Sequence, residues 1–447
     1  MSATATSRKK AGANPTKAFF VTMITRDITL EDCILDLIDN SVDGAWRCEG
    51  SRPMGLSGDT DLSKYSIQID ASPTRFRISD NCGGMTLDDA IEHAFSFGRR
   101  AIDQYDRYSI GVYGIGMKRA VFKLGTDIRI RSTYEDNGKR ESFAVPIVVD
   151  KWLADDEPPW DFDIDEDEPL AENGVEVSIN KLTPEAERLF DNPSFIQNLR
   201  RTISRDYSLH LNRGLKIYVN GSAVPGWEID FRQGAEFEPM RVEYKDRVGE
   251  DEVSVIVIGG MAAPPPENAE PDEDDVGEKK FGWYVACNGR IVLAADTTSI
   301  SGWGTDDWPH WHPQYSGFVG IVLFTAANAA ALPLTTTKRS VDLSSEIYRR
   351  ARPYMREVSR QWIAYTHQRK QALDEAKEKE AAARPLSIYQ VQERSAVVLP
   401  QLVARPTERV ANIHYSVSIT KVRKLARELG SINMTYRDVG LINPSVK

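Results

Sequence analysis

The stretch LDLIDNSVDGA, residues 35–45, decides how the rest of the chain is read. Around it Leu30, Ile34, Leu37, Ile38 and Val42 recur at the three-to-four spacing of a helix with one apolar face. Asp32, Asp36, Asn40 and Asp43 recur with the same period on another face. Asp36 and Asn40 are four apart, so their side chains lie one above the other along the helix. An amide oxygen so placed can ligate Mg²⁺, a hard cation that keeps waters or phosphate oxygens in its remaining positions. A carboxylate one turn away can orient and deprotonate a water for attack on a terminal phosphate. The same pair also fits a solvated polar face, so its meaning depends on the segments downstream.

Two extended runs, 65–70 and 75–79, come next, with Ser72 and Pro73 between them, and read as a hairpin. The second leads into ISDNCGGMTLDDA, residues 78–90. Asp80 ends the strand, and Asn81, Gly83 and Gly84 make a turn where backbone can approach a ligand. The Asp80 carboxylate can accept a hydrogen bond from an exocyclic amine such as that of adenine. A hairpin-to-helix turn with an Asx cap is the plainer alternative. Thr86 then reads as the N-cap of a helix to residue 97, with Asp88 and Asp89 at its positive end. The third segment is SIGVYGIGMKRAVFKLG, residues 109–125. Gly111, Gly114 and Gly116 lead into a helix over 117–124 that carries Lys118 and Arg119. Glycines let backbone N–H groups wrap phosphate oxygens, and the helix N-terminus adds positive potential. The spacing is neither that of a Walker A loop nor that of a Rossmann fingerprint.

In this order and at this separation the three segments resemble the N, G1 and G2 boxes of the GHKL superfamily. Its members include gyrase, the heat-shock chaperones, histidine kinases, MutL and the MORC ATPases. DNCGGM followed by GVYGIGMK most resembles the MutL and MORC side, over about residues 25–182. The resemblance implies a Bergerat fold, an α+β sandwich holding Mg-ATP between helices and sheet. By this likeness Asn40 is the Mg²⁺ ligand, Asp36 the acid that activates water, and Asp80 the adenine reader, with Gly84 and Met85 in its turn. Asp43 would serve the adenine-side water network. Gly111, Gly114, Ile115, Gly116, Met117 and Lys118 would form the phosphate-facing end of a mobile lid.

Two departures stand out. Where the superfamily usually has glutamate this chain has Asp36, one methylene shorter, and a misplacement of about 1 Å costs on the order of a hundredfold in rate. GVEVSI, residues 174–179, puts Val175 where a threonine usually offers its hydroxyl. A fourth stretch, LPLTTTKRSVD at 332–342, resembles the transducer-domain loop whose lysine, here Lys338, reaches back to the γ-phosphate. A cation there stabilises charge on the transferred group and reports its presence. CNGRIVL, residues 287–293, resembles the NGR turn of MutL transducers.

The 447 residues, 41% hydrophobic and 27% charged, suffice for two or three globular domains. The expected organisation is a flexible leader (1–16), an ATP-binding domain (17–184), a transducer-like α/β domain (185–342), a long charged helix kinked or divided at Pro353 (343–383), and a helical, basic C-terminal segment (384–447). The acidic stretch 155–168 reads as a solvated insertion and the proline-rich 262–280 as a mobile loop. Four scattered cysteines form no CxxC pair and suit a reducing compartment. No signal-like or membrane-spanning apolar run is present, so no membrane partner is expected and the cytoplasm is the default. WPHWHP, residues 308–313, fits local packing or a partner contact, and Arg99 and Arg100 fit phosphate contact or plain solvation.

The net charge of −10 argues against a basic coat. Residues 384–447, however, carry ten Lys or Arg against four Asp or Glu, so this segment is +6 and the remainder −16. Lys421, Arg423, Lys424 and Arg427 cluster on a helix expected at 418–429. The family likeness thus implies an ATP-driven clamp, closing as an ATP-dependent homodimer and acting on DNA through the basic segment. The alternatives are a chaperone-like ATPase with protein clients, and an ATP-binding sensor in which Asp36 is too short for efficient hydrolysis.

Overall fold

Helix α1 (Lys17–Arg26) is started by Thr16 and α2 (Leu30–Cys48) by Thr29, whose hydroxyl accepts from Asp32 N at 3.1 Å. The apolar stripe read from the sequence of α2 is fully buried at Cys33, Ile34, Ile38 and Val42. Strands β1 (Ser66–Ser72) and β2 (Arg75–Asp80) form the expected hairpin, with Ile67, Ile69, Phe76 and Ile78 turned into the core. Thr86 caps α3 (Leu87–Asp89), which runs into a single π turn at Ala90–Ala94 rather than a regular helix. After the glycine loop come α4 (Gly116–Leu124), β3 (Gly125–Asp136), β4 (Lys139–Val148), α5 (Val149–Ala154), β5 (Asp165–Glu166) and β6 (Gly174–Leu182). Helices α6 (Pro184–Phe190), α7 (Pro193–Asp206) and α8 (Ser208–Leu211) precede β7 (Lys216–Val219) and β8 (Ser222–Ala223).

These strands make one sheet in the order β5-β4-β3-β6-β2-β1-β7-β8, antiparallel except for the β1–β7 pair. Helix α2 packs against α4, and both bury apolar residues in the core they share with the sheet. The region is an α+β fold. The first sheet runs past the boundary expected at residue 184, because β7 extends β1 in parallel. The acidic stretch after 155 is not wholly solvated: Trp160 and Phe162 pack on Trp152, with ring centroids 6.3 and 5.2 Å apart.

The computed structural model describes residues 15–56, 60–96, 107–111, 114–155, 160–267, 280–305, 307–402 and 418–428. Most of the leader, Arg99 and Arg100, most of the proline-rich loop, and residues 403–417 and 429–447 of the basic segment lie outside these.

A second sheet follows β9 (Asp230–Gln233). It contains β10 (Met240–Val248), β11 (Asp251–Met261), β12 (Gly282–Cys287), β13 (Arg290–Asp296) and β14 (Phe318–Ala326), in the order β10-β11-β14-β12-β13. Helix α9 (Glu346–Arg369) lies on it, with Ile347, Tyr348, Ala351, Met355, Val358 and Trp362 buried at helical spacing. Pro353 neither ends nor divides α9. It sits on the exposed side, where the Arg349 carbonyl it fails to bond can meet water. The break falls instead between α9 and α10 (Leu373–Ala382), and β15 (Arg384–Ser387) then pairs with β9. The tryptophan-rich loop packs locally: Trp308, Trp311 and Tyr315 all surround Trp303.

Internal contacts divide the chain into a unit ending at Val403 and another from Ala404. In the latter, α11 (Ile419–Glu428) is described, with Lys421, Arg423 and Lys424 exposed. Among the described residues no helix is long and apolar enough to cross a membrane.

Candidate functional site

A cavity of about 390 Å³ opens between α2, the turn after β2, the glycine loop before α4, and β6. Its wall includes Asp36, Asn40, Asp43, Asp80, Gly84, Met85, Gly111, Gly114, Ile115, Gly116, Met117 and Lys338. The four motifs therefore meet in space although Asp36 and Lys338 stand about 300 residues apart. Lys118 is the exception. Its Nζ is turned away and donates to the carbonyls of Ala94 at 2.8 Å and Ser96 at 2.6 Å, tying α4 to the π turn. Asn40 is the exposed residue in an otherwise buried run from 32 to 42, so its amide is presented to the opening.

At one end of the cavity, Asp80 accepts from Ser41 Oγ at 2.6 Å, Cys82 N at 2.9 Å and Val175 N at 3.2 Å. Burial raises its carboxyl above the usual range, against the pull of these donors. Two glycines make the arrangement possible. Gly84 has a φ of +78°, and a Cβ there would sit 2.1 Å from the Thr133 carbonyl oxygen. A Cβ on Gly174 would sit 1.9 Å from the Asp80 carbonyl oxygen, so the turn lies directly against β6. The Ser132 hydroxyl bonds both N and O of Met85 at 2.8 Å and fixes the turn from the other side. Val175 and Val177 add apolar surface to this end.

Asp43, which lines the cavity, ties the glycine loop to α2. Its two oxygens accept from Ile110 N at 2.7 Å and Gly111 N at 2.9 Å, at the start of that loop. Burial pushes this carboxyl up to about 7.

The opposite end is built from ion pairs. Arg119 donates through Nε and Nη2 to Asp36 Oδ2, at 2.7 and 2.6 Å. Lys338 Nζ lies 3.2 Å from Asp36 Oδ1 and 2.7 Å from Asp39 Oδ2. Asp39, fully buried, also receives Arg290 and the Tyr207 hydroxyl, the latter at 2.6 Å. Burial alone would raise the Asp39 carboxyl, but Arg290 and then Lys338 hold it below its usual value. Lys338 is kept charged, Asp39 and then Asp36 outweighing its burial. Its backbone takes a left-handed φ of +56°, closed by Lys338 N donating to Thr335 O at 2.9 Å. The next residue, Arg339, pairs with Glu31 and Asp32 in the first turn of α2. Neighbouring cations of one loop thus grip the helix at two levels.

Asp39, Tyr207 and Ser41 were not singled out by their sequence context. Asp39 does keep the period of Asp32, Asp36 and Asp43, which is the one trace of it. Arg290 closes the NGR turn, whose Asn288 donates to Ser109 O at 2.8 Å and so touches the base of the glycine loop.

Residues 28–168 match the family model of the histidine kinase-, DNA gyrase B- and HSP90-like ATPases. The match contains α2, the turn after β2 and the glycine loop. It supports membership of this region in that ATPase superfamily, and with it ATP binding. It ends before Tyr207, Arg290 and Lys338. No curated protein matches the chain significantly.

Proposed function

We propose that the chain binds Mg-ATP in this cavity and hydrolyses it slowly, using the nucleotide as a conformational switch. The observation that carries the reading is the polarity of the cavity. An acceptor, Asp80, set beside Val175 and Val177, suits a base with an exocyclic amine. At the other end of the wall Arg119 and Lys338 face Asp36, two cations to one carboxylate, and the surplus positive charge suits phosphate. Gly114 and the start of α4 at Gly116 offer backbone N–H groups between the two.

In this reading Asn40 ligates Mg²⁺ through its amide oxygen, and the bound ion supplies charge neutralisation on the phosphates. Asp36 takes a proton from water as the water oxygen bonds to the terminal phosphorus and the bond to the bridging oxygen breaks. Asp36 is held by Arg119 and Lys338, so it acts as a base only when Lys338 is drawn toward the phosphate. That requirement supports slow turnover. It also favours the second reading, an ATP-binding sensor with little hydrolysis. Kinship to the MutL and MORC side, with lid closure, homodimerisation and action on DNA, belongs to the same proposal; its support is the reach of Lys338 into the cavity and the exposed basic residues of α11.

The test is calorimetric titration with ATP, with and without Mg²⁺, alongside phosphate release. Binding that depends on Asn40 and turnover that depends on Asp36 are expected. Binding without turnover leaves the sensor, and no binding ends both readings. Lys421, Arg423, Lys424 and Arg427 replaced together should remove any salt-sensitive DNA binding.

A further inference from the structure

We propose that Asp39 is a positioning residue that sets Lys338 against the phosphate end of the cavity and ties that position to the second sheet through Arg290. The inference rests on the Mg-ATP reading above and concerns how the site is governed. Asp39 is completely buried and is not part of the cavity wall, whereas Lys338 is. Asp39 therefore makes no contact with a ligand in the cavity, and its bonded route to one runs through Lys338.

Its carboxylate joins three separate elements to α2. Oδ2 receives Lys338 Nζ at 2.7 Å, from the loop after β14, and Arg290, the first residue of β13. Oδ1 receives the hydroxyl of Tyr207, at the end of α7. The Arg290 guanidinium is itself confined, lying 5.5 Å from the Tyr207 ring centre and almost without exposure. Lys338 and Arg290 thus share one oxygen, and a movement of Lys338 toward phosphate leaves that oxygen to Arg290 alone. Because Asp39 directly precedes Asn40, the backbone that presents the metal-ligand candidate is fixed by the same junction. The left-handed backbone at Lys338 fits a residue held by its side-chain anchor rather than by local preference.

The test compares wild type, Asp39→Asn, Lys338→Met and the double variant. Mg-ATP affinity and turnover are measured, together with hydrogen exchange in residues 335–341 and 109–118 on adding Mg-ATP. If Asp39 acts through Lys338, Asp39→Asn slows turnover about 10–100-fold and changes affinity less than about threefold. The double variant is then no slower than Lys338→Met. In Asp39→Asn the nucleotide still protects 109–118 but no longer alters exchange at 335–341. Losses that multiply in the double variant, or unchanged protection of 335–341, overturn the proposal. Asp39→Asn takes from buried Arg290 the carboxylate it pairs with directly. If that variant does not fold, Asp39→Asn with Arg290→Met takes its place, with the same outcomes expected. Wild type is titrated first: failure to bind Mg-ATP sinks the reading of the cavity, whereas binding with additive losses sinks only the role of Asp39.

Discussion

Asp80, at the cavity end beside β6, and Asp43, under the glycine loop, are held by backbone N–H groups and one hydroxyl, whereas Asp36, at the Lys338 end, and Asp39, behind the wall there, are held by lysine and arginine. Three of these four acids belong to one helix, within two turns of each other. Their charge states nonetheless diverge, Asp43 being pushed up to about 7 and Asp39 held below its usual value. Residue type and spacing are the same, and the partners decide the chemistry. Neutral donors leave a carboxylate free to read a polar edge, while cations make it part of an electrostatic seat for an anion.

The sharpest way to break this contrast is at Asp36. Asp36→Ala should lower turnover about a hundredfold or more, the usual range for a lost general base, while phosphate-release assays and titration find ATP affinity retained or tighter. Affinity lost in step with turnover would mean that Asp36 serves binding, and the division between the ends would fail. At the other end, Asp80→Ala should weaken ATP by about 10–100-fold, the cost of a charged acceptor lost to a bound donor, and should weaken GTP much less. Equal losses for the two nucleotides would remove Asp80 from base recognition.

A pH titration sharpens the comparison further. Asp43 has a folded value of about 7 against an ordinary 3.8, so between these limits the folded chain binds more protons than the unfolded one. Its contribution to stability is complete below about pH 4 and is lost as pH rises to 7, with a slope of at most about 1.4 kcal/mol per pH unit. Denaturant midpoints measured across that window should fall more steeply in wild type than in Asp43→Asn. Parallel curves would contradict the assignment. The smallest effect is expected from Val175→Thr, which restores a hydroxyl beside Asp80 and should tighten ATP by about fivefold, one ordinary hydrogen bond. A loss of affinity would place the base elsewhere.

The sequence made the Asp80 end more legible than the Lys338 end, for a physical reason. Asp80, Gly84 and the loop from Gly111 form short turns whose chemistry is local, and α2 announces itself by its period. The ion-pair end is assembled from Asp39, Tyr207, Arg290 and Lys338, and pairing across 168 to 299 residues leaves no local pattern. Lys118 and Arg119 illustrate a narrower ambiguity. Adjacent helical residues point about 100° apart, so only one of them can face the cavity. The family likeness chose Lys118; the fold turns Arg119 there and sends Lys118 to the carbonyls of the π turn. Pro353 reads in the sequence as a kink or a division of the helix, but an exposed proline on a long helix anchored by Trp362 and Met355 costs less than dividing the helix and losing that packing.

The parallel pairing of β7 with β1 has a practical consequence for anyone excising the nucleotide-binding part. A fragment stopped at residue 184 would expose the bonding edge of β1 and forfeit Tyr207, whose hydroxyl meets both Leu35 O and Asp39 inside α2. Cutting beyond Ala223 would spare the sheet yet still leave Asp36 and Asp39 without Lys338 and Arg290. The smallest autonomous piece is therefore far longer than the segment that carries the recognisable motifs.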